Sequence, residues 1–248
     1  MNVRELVGRA GPLIGELGGL YYFAPRSLER AAELGLDVSQ WYFLGRGGPL
    51  GEVEAASVDA VLGYFAPGVV RDVWESGRAV ASPKAVAMAH LEACREFGRQ
   101  HLHGEWLQPF CDTASAVLDA SNIAALPLFA AVKTMRIAED PPGRAMQLTT
   151  ALREFRGGVH LLAIVASGLE PRVAHWLTRP DVWENFGYSA DDVPRVTDDA
   201  RELLSRADDL TDRLMLPAFS VLSDRQAVAM LEGLESMKAM LPEPEFPG

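Results

Sequence analysis

The stretch Leu152-Arg153-Glu154-Phe155-Arg156-Gly157-Gly158-Val159-His160 decides how this chain reads as a fold. With its flanks it places Leu148, Leu152, Phe155, Val159 and Leu162 at steps of four and three, which lines up one face of an α-helix. On that helix Arg156 and His160 stand one turn apart and face the same way, with Arg153 beside them. The polar stripe borders the apolar one, so it belongs at the edge of a core. Gly157 and Gly158 each cost about 1 kcal/mol in a helix interior relative to alanine, so something must gain from their lack of a side chain. Either a ligand or another backbone comes close there, or two helices cross and the polar groups are satisfied by buried carbonyls. Arginine suits bidentate contact with a carboxylate or phosphate, and imidazole exchanges protons near neutral pH. Arg153 and Arg156 are therefore candidate ligand-binding residues, and His160 is a candidate acid/base.

Parts of this stretch have an echo. Arg156-Gly157-Gly158 is preceded by Arg46-Gly47-Gly48, and Asp181-Val182-Trp183-Glu184 by Asp72-Val73-Trp74-Glu75, both at an offset of about 110 residues. Two matches in one register predict an internally duplicated unit of roughly a hundred residues, a common domain size. A pseudo-twofold pair would bring Arg46 and Arg156 to a shared cleft. The first copy sits in Trp41-Tyr42-Phe43-Leu44-Gly45-Arg46, so Trp41 and Tyr42 are candidate stacking surfaces beside Arg46. A packed helix end followed by a turn explains the same letters without a ligand. A shorter echo, Tyr22-Phe23-Ala24-Pro25 and Tyr64-Phe65-Ala66-Pro67, reads as an aromatic anchor before a helix start.

Helical spacing continues through Val58, Val61, Leu62 and Phe65, and through Leu203, Ala207, Leu210 and Leu214. Ser82-Pro83 predicts a helix start running to about Leu102. Ser223 and Gln226 predict a capping box. The chain reads as all-α, with room for a minor β-hairpin wing at Arg195-Val196-Thr197. The prolines and glycine of Glu139-Asp140-Pro141-Pro142-Gly143 predict a linker. The expected units are 1–138 and 144–241, both winged-helix-like, with a frayed tail at 242–248.

Composition narrows the function. The net charge is −11, and residues 181–248 hold 15 acidic against 6 basic residues. Such a surface disfavours nucleic acid, which needs clustered cations. No apolar run reaches the length of a membrane span, and the first residues do not make a signal peptide; a cytoplasmic, soluble protein is expected. Cys94 and Cys111 are expected free and buried. His101, His103, Glu105 and Cys111 make a poor metal set, because i and i+2 point apart on a helix. Neither a metal nor another cofactor is expected. No phosphate-binding loop, nucleophile elbow or dinucleotide fingerprint is present.

The stretches around Tyr22–Pro25, Tyr42–Gly51, Leu152–His160 and Thr211–Leu214 resemble an actinobacterial family labelled helix-turn-helix or MarR-like. The resemblance runs from about Leu20 to Leu234. Its pattern is close to LREHRGDGH, matched here at Arg153, Glu154, Arg156, Gly157 and His160. Phe155 replaces a histidine and Gly158 an acidic residue, and the wing region Tyr188–Asp199 is short, which marks a divergent member. The resemblance implies a winged-helix-like fold without fixing a function. Three readings follow. The first is a small-molecule-binding protein for an anionic or aromatic ligand without DNA binding, extending to a cofactor-independent enzyme of secondary metabolism. The second is a ligand-responsive MarR-like transcription regulator acting as a homodimer. The third is a helical interaction module.

Overall fold

The computed structural model describes residues 1–243. Among these residues there are twelve α-helices, a few short 3₁₀ turns and no strand. The helices are α1 (Val3–Leu17), α2 (Pro25–Glu33), α3 (Val38–Gly47), α4 (Ala55–Leu62), α5 (Val69–Arg78), α6 (Pro83–His101), α7 (Leu107–Ala120), α8 (Pro127–Lys133), α9 (Pro141–Ala166), α10 (Pro171–Thr178), α11 (Asp198–Phe219) and α12 (Asp224–Met240).

The hub is α9, a rod of 26 residues and about 39 Å. It touches α1, α6, α7, α8, α10 and α11. Its first two-thirds are enclosed on nearly every side: Met146, Leu148, Ala151, Leu152 and Phe155 are buried, and so are the polar Gln147, Thr149 and Glu154. The stripe expected from Leu148 to Leu162 is buried as far as Val159, while Leu162 is exposed.

The segment expected to be a linker starts this helix instead. The Asp140 carboxylate accepts the Gly143 backbone N–H (2.9 Å) as N-cap, and Pro141 takes the first helical position, where its missing N–H is no loss. Other boundaries fall as the sequence predicts. Ser82 caps α6 ahead of Pro83, and Ser223 with Gln226 forms the capping box of α12. Residues 1–138 and 144–241 share one apolar cluster, which joins Leu6, Trp74, Phe110, Leu152 and Leu234. From the first stretch, α1 packs on α11 and α12 of the second. Of the tail expected to fray, residues 244–248 lie outside the described residues.

The repeated letters take different local structures. Arg46 lies in the last turn of α3, whereas Arg156 lies mid-way along α9. Asp72–Glu75 belongs to α5, whereas Asp181–Glu184 runs across two 3₁₀ turns, Pro180–Val182 and Glu184–Phe186. What the two copies share is a buried indole that donates to a backbone carbonyl, Trp74 to Val53 O (3.2 Å) and Trp183 to Ser189 O (2.9 Å). The place expected for a wing has no strand. Thr197 instead caps α11, its side chain accepting the Ala200 N–H (3.2 Å). The turns before it cover a satellite core of Trp183, Tyr188 and Ala66, with Phe186 stacked on Phe65 at 4.4 Å.

The α6–α9 crossing depends on Gly98. A Cβ there would overlap the Pro142 carbonyl oxygen and come within 2.9 Å of Met146 Cβ. Gly98→Ala is expected to force the helices apart at a cost of about 1–3 kcal/mol, read as a lower melting temperature in thermal denaturation.

Candidate functional site

The polar residues buried along α9 converge on one cluster. Glu154, with its side chain only 7% exposed, is held by two arginines. Arg46 grips it with a fork: Nε donates to Oε1 (3.2 Å) and Nη2 to Oε2 (2.9 Å). Arg153 Nη1 donates to Oε1 (2.9 Å) and to the Tyr22 hydroxyl (3.1 Å). The Tyr22 hydroxyl donates to Oε1 in turn (3.0 Å), and Arg46 Nη1 donates to the Tyr42 hydroxyl. The Arg46 guanidinium also lies 5.2 Å from the centre of the Tyr42 ring, and that of Arg153 5.2 Å from the Tyr22 ring, both within cation–π range.

Three parts of the chain build this. One turn of α3 sets Tyr42 beneath Arg46, and α9 supplies Arg153 and Glu154. The turn after α1 supplies Tyr21 and Tyr22. That turn reaches α9 because residue 18 is glycine: a Cβ there would lie 2.7 Å from Arg153 Cβ and 2.9 Å from Thr149 O.

Burial favours the neutral acid for Glu154, but the charges of Arg46 and Arg153 outweigh it and hold the carboxyl down at about 2. Burial lifts the phenol of Tyr22 well above its ordinary value, so it stays protonated and can donate. Two cations against one carboxylate leave the cluster with one positive charge in excess.

Against it lies His90 of α6, which is 3% exposed. Its ring stacks on Tyr22 (5.3 Å between ring centres) and meets the edge of Trp41 (5.0 Å). Nδ1 bonds the Tyr21 hydroxyl at 3.0 Å, and Nε2 is buried with no hydrogen-bond partner. Burial, aided by the Arg46 charge, pushes its pKa down to about 3. A cavity of about 40 Å³ lies here, with His90, Arg46, Glu154 and Thr150 in its wall. That is room for about three water-sized groups. Partly exposed Pro49, Val132 and Met135 also line it.

The structure thus brings Arg46, Arg153 and Tyr42 together and sets the other candidates apart. Trp41 is a fully buried core residue whose indole N–H donates to Ser27 Oγ (3.1 Å), so it offers no open stacking face. Arg156 and His160 do not meet Arg46. Arg156 lies against α1, where a Cβ on Gly11 would come 3.1 Å from its Nε, an atom buried without a hydrogen-bond partner. His160 Nδ1 bonds Thr211 Oγ1 (3.0 Å) on α11. That hydroxyl gives its own proton to Ala207 O (2.7 Å), so Nδ1 carries the hydrogen. Burial and the Arg156 charge push His160 down to about 4, a weak match to proton transfer at neutral pH. Of the two glycines, Gly158 makes room for Leu126, while Gly157 faces open space.

Among the described residues no group of His, Cys, Asp and Glu is arranged to hold a metal. Cys94 and Cys111 are free and buried, and burial pushes both thiols up to about 12.

A family model described as a helix-turn-helix family matches residues 7–246. The chain belongs to this helix-turn-helix family. Neither a curated protein nor a solved structure gives a match. Membership in the helix-turn-helix family describes a helical scaffold, and the scaffold leaves the activity to its sites. No helix among the described residues is long and apolar enough to cross a membrane.

Sequence reasoning passed over Glu154, His90, Tyr21 and Tyr22 as site residues. His90 has no partner nearby in sequence because Tyr21 is 69 residues away. The available signal was a glutamate between Leu152 and Phe155 of a buried stripe, since a carboxylate in that position needs a cation.

Proposed function

We propose that this protein binds a small molecule at the Glu154 cluster and works in the cytoplasm without holding DNA. One observation carries the reading: a buried histidine presents an unpartnered Nε2 beside a cavity, next to a preorganised pair of arginines. Buried polar atoms are nearly always satisfied, and the exceptions include places where water, an ion or a ligand completes the bonding. Arg46 supplies directed donors, and Tyr21 and Tyr22 supply an aromatic wall. A divergent MarR-like scaffold redirected to ligand chemistry accounts for both the family match and the site.

The regulator reading is favoured by the family match alone. Charge weighs against it. The acidic excess lies in residues 181–248, and outside α9 no helix carries a basic excess of more than one. The cations of α9 are engaged in or beside the core. Phosphate binding draws on several clustered Lys or Arg.

Native mass spectrometry of the purified protein tests the proposal, with a retained small molecule as the expected result. In parallel, a mobility-shift assay against its own promoter region at physiological salt is expected to give no sequence-specific complex at nanomolar protein. A specific complex there would move the assignment to a DNA-binding regulator.

A further inference from the structure

We infer that the ligand is a small monocarboxylic acid whose carboxylate enters the cavity beside His90 and whose apolar body lies toward Pro49, Val132 and Met135. This rests on the ligand-binding reading above.

Proton bookkeeping sets the sign of the site. The Tyr21 phenol is held far above its ordinary value, mainly by burial, so it keeps its hydrogen. Its hydrogen-bond partner is His90 Nδ1. If Nδ1 carried the imidazole hydrogen, the phenol hydrogen would be left buried without an acceptor. The phenol therefore donates to Nδ1, and the neutral ring carries its hydrogen on Nε2. What His90 leaves unpaired beside the cavity is a donor seeking an acceptor.

Arg46 adds to this. A guanidinium has five N–H groups, and Nε, Nη1 and Nη2 each use one on Glu154 or Tyr42. Two remain. Glu154 does not fill that role: it accepts from Tyr22, Arg46 and Arg153, and no hydrogen bond joins it to His90 Nε2. The cluster's excess positive charge favours an anion over a neutral acceptor.

Size narrows the anion. A cavity of about 40 Å³ matches the three heavy atoms of a carboxylate. A phosphate group, five heavy atoms counting phosphorus, is larger than that. Ala87, Leu91, Val132 and Met135 give the wall an apolar side that suits a short hydrocarbon chain, with Gln147 and Thr150 as its other polar members.

The test compares sodium butyrate with butyramide, its neutral isostere, at matched ionic strength. Butyrate at tenfold its dissociation constant is expected to raise the melting temperature by about 3 °C or more, and butyramide to leave it unchanged. Val132→Trp fills the cavity from a partly exposed position and leaves the residues of the cluster unchanged, and is expected to abolish the shift. Nitrogen-15 histidine NMR of the wild-type protein gives a separate reading: His90 is expected in the Nε2–H form, with that resonance moving on addition of butyrate. Equal stabilisation by both compounds, a shift that survives Val132→Trp, or an Nδ1–H tautomer overturns the inference. If native mass spectrometry finds a neutral molecule bound, the carboxylate assignment fails while ligand binding stands. If neither compound acts and no molecule is retained, both fail.

Discussion

Glu154→Ala is expected to lower the melting temperature by about 10 °C. The carboxylate is the counter-charge for Arg46 and Arg153, and it accepts the Tyr22 hydroxyl as well. Removing one partner of a buried ion pair leaves an uncompensated charge and costs about 3–5 kcal/mol. In a domain of this size each kcal/mol moves the midpoint by about 2–4 °C. The double variant Glu154→Leu with Arg46→Met is expected to recover part of the loss, because a buried pair replaced together leaves only Arg153 uncompensated. Circular dichroism melts of Glu154→Leu, Arg46→Met and the double variant measure the coupling. A drop of less than about 2 °C for Glu154→Ala would mean that water already screens the cluster, so that its charges are not preorganised by burial.

Mild acid is expected to destabilise the fold before the carboxylates titrate. His90 is held neutral by burial with its pKa near 3, far below the unfolded value of about 6.5. Between those values the unfolded chain binds more protons than the folded one, so stability falls as pH falls. From pH 7 to pH 5 the loss from His90 alone is about 2 kcal/mol. His160 and His175, both held near 4 mainly by burial, act in the same direction. Glu154 follows at lower pH: its contribution is complete above about 4.5 and is lost toward 2. Asp208 and Asp212, raised by burial, oppose the trend in the carboxylate range only. Melting temperatures across pH 4–8 check this. A flat profile between pH 7 and pH 5 would show that His90 is hydrated in the folded protein.

Local signals carried most of the helical architecture. Ser82-Pro83 and the Ser223–Gln226 box act within one turn, so their effect is readable without knowing what packs around them. The prolines of 141–142 are equally local but ambiguous, because the same residue that breaks a helix interior suits its first turn. Asp140 resolves the ambiguity as the cap. The site was legible in pieces: Arg46, Arg153 and Tyr42 stood out by type, but their meeting point did not. Glu154 is joined to Tyr22 across 132 residues and to Arg46 across 108, and no period in the sequence reports such a distance. The duplicated letters misled in the opposite way. Asp-Val-Trp-Glu is short enough to follow its surroundings, becoming helix beside α3 and α4 and 3₁₀ turn beneath α10.

The packing of α1 has a consequence for biosynthesis. Leu6, Val7, Ala10 and Ile14 are buried by helices that include α11 and α12. On the ribosome α1 emerges first, and α11 begins some 180 residues later. At ordinary elongation rates of about 5–20 residues per second, the part of that apolar face that α11 covers stays open for about 9–36 s. The last helices to be made close over the first, so the native core is completed only after translation has passed Asp198.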